Sequence, residues 1–110
     1  MLTYTRFDIT NLELPFEREY TFEEGTFIFM VYENRVSYDI IIQILNTNRE
    51  ILHVNKLVYG RNAIDTPFTN IPTKIVPYDI TNEREGKPPI KVTRENLGKG
   101  VDLISSATIS

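Results

Sequence analysis

A β-hairpin pattern between residues 26 and 45 constrains the fold of this chain more than any other feature. In residues 26–32, Phe27, Phe29 and Val31 alternate with Thr26, Ile28, Met30 and Tyr32, and the alternation resumes in residues 35–45. Because successive side chains of a strand point to opposite faces, a period of two places every second residue on one face. The second strand is richly apolar on one side, so this side is predicted to be buried. It carries Val36, Tyr38, Ile40, Ile42 and Ile44.

Turn signals separate this hairpin from its neighbours. The link Glu33-Asn34 predicts a tight two-residue hairpin turn, although it lacks the usual glycine. Residues 23–25, where Gly25 tolerates a positive φ, and residues 46–49 predict two further turns. Additional strands are predicted at residues 3–9, 16–22, 50–59, 73–80, 90–93 and 101–104.

Two of these strands carry more detailed predictions. In residues 50–59, alternation places Ile51, His53 and Asn55 on the face opposite to Leu52 and Val54. In residues 73–80, a proline at position 77 lacks a backbone donor, which predicts an edge strand.

The pattern as a whole predicts an all-β fold, a small antiparallel meander that forms either a barrel or a sandwich. A chain of 110 residues is expected to form one domain, so residues 1–110 are predicted to be a single β domain. Residues 81–89 (TNEREGKPP) combine charges, a glycine and two prolines, which predicts a mobile loop. The weakly patterned tail at residues 105–110 is expected to fray.

Composition excludes several classes of protein. The net charge of -3 gives no basic surface for a phosphate backbone, so we expect no nucleic-acid partner. The chain has no cysteine, which excludes disulfides and thiolate metal sites. The N-terminus lacks a secretory signal pattern, and the longest apolar run is far too short to span a bilayer. We therefore expect a soluble domain, made inside the cell, with no membrane partner.

Residues suited to catalysis are few. The only histidine, His53, lies in a predicted strand and is expected to be an ordinary strand residue. Adjacent carboxylates at Glu23 and Glu24 fall in a turn, where a solvated face is the usual explanation. The segment 98–100 (GKG) lacks the rest of a phosphate-binding loop and predicts a turn. The sequence therefore predicts no enzyme, no catalytic residue, no cofactor and no metal site.

Three segments together resemble the small baseplate plug proteins of tailed bacteriophages. They are the Phe-rich hairpin YTFEEGTFIFMVYENRVSYDIIIQILN, the strand EILHVNKLVYG and the C-terminal segment VTRENLGKGVDLI. The similarity extends over residues 19–104. The chain departs from the family pattern in its hairpin turn without glycine, in the long loop at residues 81–89 and in its Ser-rich tail.

The resemblance implies a non-enzymatic structural subunit at the central end of a tail tube, which closes or lines the channel. Its partners would be other baseplate, hub or tube proteins, with self-association left open. It would be located in the virion tail baseplate and assembled in the cytoplasm of the bacterial host. The alternative, from another class, is a carbohydrate-binding β module of a tail or cell-surface protein, because aromatic residues can stack on sugars.

Interface residues are predicted from residue type alone. Aromatic and arginine side chains often anchor protein interfaces. The predicted partner contacts are Tyr4, Phe7, Tyr59, Tyr78, Arg84 and Lys87. Arg61 and Arg94 are weaker candidates for ion pairs across an interface.

Overall fold

Nine short strands make up the regular structure of the described part of the chain. The structure, a computed structural model, describes residues 2–3, 6–9, 12–65, 71, 73–79, 90–105 and 108–109. The strands are β1 (Leu2–Thr3), β2 (Arg6–Phe7), β3 (Phe16–Phe22), β4 (Gly25–Glu33), β5 (Ile40–Leu45), β6 (Ile51–Lys56), β7 (Val76–Tyr78), β8 (Asp102–Ile104) and β9 (Thr108–Ile109). The described residues contain no helix, so the prediction of an all-β fold is confirmed.

The strands form one four-stranded meander and two smaller sheets. The meander has the order β3-β4-β5-β6, the second sheet has the order β2-β8-β7, and β1 pairs with β9. Every pairing between these strands is antiparallel. Side chains from the four-stranded and three-stranded sheets share one hydrophobic core. Of the two predicted architectures, a barrel or a sandwich, the closed barrel is not formed.

The core depends on the period-two pattern of the central hairpin. Phe27, Phe29 and Val31 of β4 point into the core, and the isoleucines of β5 at positions 40, 42 and 44 have no exposed surface. Burial of such a side chain contributes about 2 kcal/mol. Phe7 joins the two sheets, because its ring meets the rings of Tyr20 and Phe29 edge-on, each at 5.2 Å.

The link between β4 and β5 differs from the prediction. The predicted two-residue turn at Glu33-Asn34 is wrong, since a six-residue loop at 34–39 connects the strands. The side-chain Oδ1 of Asn34 accepts the backbone N–H groups of Val36 and Ser37, which turns the chain before β5 begins. Val36 and Tyr38 therefore leave the buried face, where alternation had placed them, and are 90% and 63% exposed.

A bulge changes the pattern of β6. Ile44 pairs with His53 but Leu45 pairs with Ile51, so Leu52 is an extra residue between the two pairs. The predicted alternation is wrong for Ile51, which lies on the outer side of the sheet, whereas His53 remains on the inner side.

The smaller elements agree with the prediction in part. In the segment predicted as one strand at 3–9, Thr3 ends β1 and residues 6–7 form β2, whereas residues 90–93 form no strand. The edge position predicted for the proline strand is confirmed, because β7 lies at the end of its sheet. The predicted mobile loop at 81–89 lies outside the described residues. In the predicted frayed tail, residues 108–109 pair with β1.

Candidate functional site

The outer side of the four-stranded sheet carries a group of apolar side chains. Cross-strand pairing places Met30 opposite Gln43 and Gln43 opposite Val54, and it places Ile51 opposite Leu45. Ile51 and Val54 are 57% and 46% exposed. We call the half-buried and exposed apolar residues of this surface the outer face: Met30, Tyr32, Ile41, Ile51 and Val54.

Polar contacts lie at one border of the outer face and within it. Arg49 donates two hydrogen bonds to the carboxylate of Glu17, at 2.6 and 3.1 Å. These bonds lower the pKa of Glu17 and raise that of Arg49. Closer to the centre, Gln43 Nε2 donates to the Tyr32 hydroxyl at 3.2 Å. Protein interfaces typically combine apolar surface with a polar rim.

The 34–39 loop forms a second surface feature. Tyr38 has a φ of 62°, a conformation that residues other than glycine rarely adopt. Its N–H donates to Asn34 O at 2.8 Å, and Asn34 N–H donates to Asp39 O at 2.8 Å. The loop is therefore closed by its own backbone, and it holds Val36 and Tyr38 in solvent.

Side chains from elsewhere hold the 34–39 loop in place. Lys91 Nζ lies 3.5 Å from the carboxylate of Asp39 and donates to Ser37 O at 3.4 Å. A hydrogen bond from Ser37, followed by the nearby charges of Lys56 and Lys91, lowers the pKa of Asp39. The loop is thus fixed from the segment that precedes β8.

A groove of about 630 Å³ lies close to this loop, since Arg94 and Glu95 line both the groove and a smaller cleft that Tyr38 borders. Its floor includes the buried Ile9 and Leu97. The turn that carries Leu97 lies very close to the floor, since a Cβ atom added to Gly98 would lie 3.2 Å from Ile9 O. The other lining residues are Leu12, Glu13, Leu14, Phe16, Arg94, Glu95 and Lys99. We call this feature the Leu12 groove.

The structure brings two of the predicted contact residues together. The rings of Tyr59 and Tyr78 stack with centroids 5.6 Å apart and planes 19° apart. The Tyr59 hydroxyl accepts the N–H of Asp79 at 3.1 Å. Both tyrosines are half-buried, so this pair also contributes to packing between the 59–61 turn and β7.

The remaining predicted contacts have other positions. Phe7, a predicted partner contact, instead lies in the core with 3% exposure, because it fills the space between the two sheets. Tyr4, Arg84 and Lys87 lie outside the described residues. Of the weaker candidates, Arg94 lies within 3.9 Å of Glu33 in the same chain and is 65% exposed.

His53 is the one histidine and lies at the inner side of β6. Its Nε2 is 2.8 Å from Ala63 O and 3.4 Å from a carboxylate oxygen of Asp65. Both neighbours only accept hydrogen bonds, so the geometry assigns the proton to Nε2. Asn55 donates to the same carbonyl at 2.9 Å. His53 thus links β6 to the following loop, as expected of a structural strand residue.

Sequence reasoning missed the 34–39 loop and the outer face. Asn34, with Ser37 three residues later, was the available signal for the loop, because both side chains commonly bond to nearby backbone. The place of Ile51 on the outer face depends on the bulge at Leu52, which no residue type in the sequence indicates.

Within the described part of the chain, no three histidine, aspartate or glutamate side chains are grouped to hold a metal ion. The same residues include no helix that is long and apolar enough to cross a membrane. Comparison of the chain with protein-family models, curated proteins and solved structures gave no match.

Proposed function

We propose that the chain is a non-enzymatic structural subunit of a bacteriophage or phage-like tail baseplate. It would plug or line the central channel by packing against hub or tube proteins. The observation that carries the proposal is the outer face, on which Ile51 and Val54 of the edge strand β6 are exposed to solvent. The resemblance of residues 19–104 to baseplate plug proteins supplies the kind of partner.

The composition of the outer face favours contact with a protein. Cross-strand pairing sets Tyr32 beside Ile41 and places Gln43 between Met30 and Val54. The Glu17–Arg49 ion pair lies at the border of this surface. Each Å² of apolar surface that a partner covers would stabilise an assembly by about 25 cal/mol. A regular β-sheet presents these side chains without further ordering, which lowers the entropic cost of association.

The aromatic residues favour this proposal over a carbohydrate-binding module. Sugar recognition by stacking needs exposed ring faces. Phe7, Phe27 and Phe29 are buried in the core, and the rings of Tyr59 and Tyr78 stack on each other. This distribution uses most of the described rings for packing within the domain.

The experiment is an affinity pull-down of the tagged chain from an induced host lysate, with mass spectrometry of the captured proteins. The variant Ile51→Lys/Val54→Lys places two charges on the outer face. The control Thr47→Lys/Asn48→Lys adds the same charge in the exposed turn between β5 and β6. We expect tail-tube and hub proteins with the wild type and the control, and their loss with the outer-face variant.

Two results would contradict the proposal. One is a wild-type preparation that captures no tail protein, and a glycan-binding screen would then test the alternative. The other is equal capture by the outer-face variant, which would remove the outer face as the contact surface. Circular dichroism of each variant checks that the β fold is retained.

A further inference from the structure

The 34–39 loop exposes two large side chains to solvent, and one of the two residues has an unfavourable positive φ. Val36 is 90% exposed, and Tyr38 combines 63% exposure with a φ of 62°. Glycine or asparagine would adopt this conformation more readily than tyrosine. Strained backbone tends to occur at functional sites, so the feature points to a contact that Tyr38 makes with another surface.

The loop is already ordered for such a contact. Asn34 Oδ1 fixes the N–H groups of Val36 and Ser37 at 2.8 and 3.1 Å. Lys91 fixes the second half of the loop through Ser37 and Asp39. Little conformational entropy remains to be lost on binding, and rigid aromatic side chains in such positions are typical anchors of interfaces.

The Leu12 groove has apolar side chains that could receive Val36 and Tyr38. Its apolar lining comes from Ile9, Leu12, Leu14, Phe16 and Leu97. Its volume of about 630 Å³ lies in the range of pockets that bury whole ligands, so it has room for one tyrosine and one valine side chain.

The loop and the groove lie next to each other. Arg94 and Glu95 line the Leu12 groove, and they also line a smaller cleft of about 210 Å³ that Tyr38 borders. A two-fold symmetric interface uses the same patch on both subunits, so it needs anchor and receptor on one face. Arg94 and Glu95, which we call the ridge, lie between the loop and the groove. Anchor and receptor are therefore on one face.

The ridge is also complementary to itself. Arg94 and Glu95 carry opposite charges and are 65% and 73% exposed, and they pair within the chain at 3.3 Å between Arg94 Nε and Glu95 Oε1. A two-fold axis through the ridge sets Arg94 of one copy against Glu95 of the other, twice. Like charges would oppose such a contact, whereas this arrangement favours it.

We propose that two copies of this chain form a two-fold dimer, in which Val36 and Tyr38 of each copy enter the Leu12 groove of the other. Arg94 and Glu95 of the two copies pair at the axis. The dimer uses no residue of the outer face, so it does not depend on the proposed baseplate role and leaves that surface available.

Sedimentation velocity of the purified chain over a range of concentrations tests the dimer. We expect the wild type to approach twice the monomer mass of 12.8 kDa. The variant Val36→Ser/Tyr38→Gly is expected to associate at least about tenfold more weakly, because it removes both anchors. The outer-face variant Ile51→Lys/Val54→Lys is the control and should dimerise like the wild type. A monomeric wild type, or full dimerisation of the loop variant, would overturn the proposal.

A charge exchange tests the position of the axis. Arg94→Glu and Glu95→Arg should each weaken the dimer, since each sets like charges against one another. The double variant Arg94→Glu/Glu95→Arg restores opposite charges across the axis and should recover most of the affinity. Equal affinity in all three variants would show that the ridge does not lie at the axis.

Cysteine exchange tests the insertion itself, because the chain contains no cysteine of its own. One preparation carries Leu12→Cys and the other carries Val36→Cys. Under mild oxidation, the mixture should give disulfide-linked pairs that neither preparation gives alone. Linked pairs in the Val36→Cys preparation alone, with none specific to the mixture, would contradict the insertion of the loop into the groove.

Discussion

Asn62 Oδ1 accepts the main-chain N–H of Ile75 at 3.0 Å, across thirteen residues of sequence. The same oxygen accepts the N–H of Ile64, and the Asn62 side-chain amide donates to Ile64 O at 2.6 Å. One side chain thus satisfies three main-chain groups. It connects the loop after β6 to the residue that precedes β7, and so links the four-stranded sheet to the three-stranded sheet.

Asn62→Asp is therefore expected to destabilise the domain although the two side chains have the same shape. The substitution replaces the amide donor by an oxygen that faces Ile64 O, and it places a charge in a half-buried site. Loss of a charged or buried hydrogen-bond partner typically costs about 1–3 kcal/mol. Urea unfolding gives the free energy, and Asn48→Asp in an exposed turn is the matched control. Equal stability of the two variants would mean that Asn62 does not link the sheets.

Ile42→Ala is expected to lower the free energy of unfolding by about 2–5 kcal/mol, because it leaves a cavity in a core position. Ile51→Ala removes the same atoms from a residue that is 57% exposed, so a change below about 1 kcal/mol is expected. Thermal and urea unfolding of the two variants check the assignment of inner and outer faces. Similar losses in both would show that the outer face is covered within the monomer.

The free energy of unfolding of Tyr38→Gly is expected to equal that of the wild type or to exceed it by up to about 1 kcal/mol. Glycine removes the cost of a positive φ, about 1–2 kcal/mol, which offsets its greater freedom in the unfolded chain. Tyr38→Val should instead lower stability, because a β-branched residue tolerates this conformation poorly. Measurements at low protein concentration keep any dimer from contributing. A loss of stability in the glycine variant would indicate that the tyrosine ring packs within its own chain.

The Glu17–Arg49 pair predicts a specific pH dependence. Arg49 lowers the folded-state pKa of Glu17, so the pair stabilises the fold fully above the ordinary pKa of a glutamate. This stabilisation begins to be lost when the pH falls below the ordinary pKa of a glutamate. It is lost completely once the pH has passed below the lowered pKa of Glu17 in the folded state. In Arg49→Gln, the acid side of the stability profile should be shallower than in the wild type.

Arg35→Gln is the control for that profile. It removes the same charge from an exposed position for which the described residues show no ion pair. Urea unfolding at a series of acidic pH values gives both profiles. Parallel curves for Arg49→Gln and the wild type would contradict a role of the pair in acid stability.

Much of the fold could be predicted from local pattern. β3 (Phe16–Phe22) matches the predicted strand residue for residue, because its alternation is uninterrupted and a two-residue turn follows. β4 extends the predicted strand by one residue at each end. The turn at 46–49 formed as predicted, since Asn46 Oδ1 accepts the N–H groups of Asn48 and Glu50.

The surfaces could not be predicted in the same way. Alternation continues through Val36 and Tyr38, so periodicity alone places them in a strand, whereas the side chain of Asn34 turns the backbone out of the sheet. The Leu12 groove requires Ile9 and residues 12–16 to meet residues 94–99, and this depends on tertiary packing rather than on local sequence. Pattern thus predicts the buried residues within the strands, but not where a loop leaves the sheet or which exposed residues lie together.

The pairing of β1 with β9 places Leu2 opposite Ile109. Anything fused to either end of the domain would therefore leave it from one point, and a tag at the N-terminus and a tag at the C-terminus would occupy the same surroundings. A short linker could join the two ends, and the Glu23-Glu24 turn could be opened instead. Such a circular permutant would keep both larger sheets, and it would move the site of attachment from the β1–β9 pair to the tip of the first hairpin.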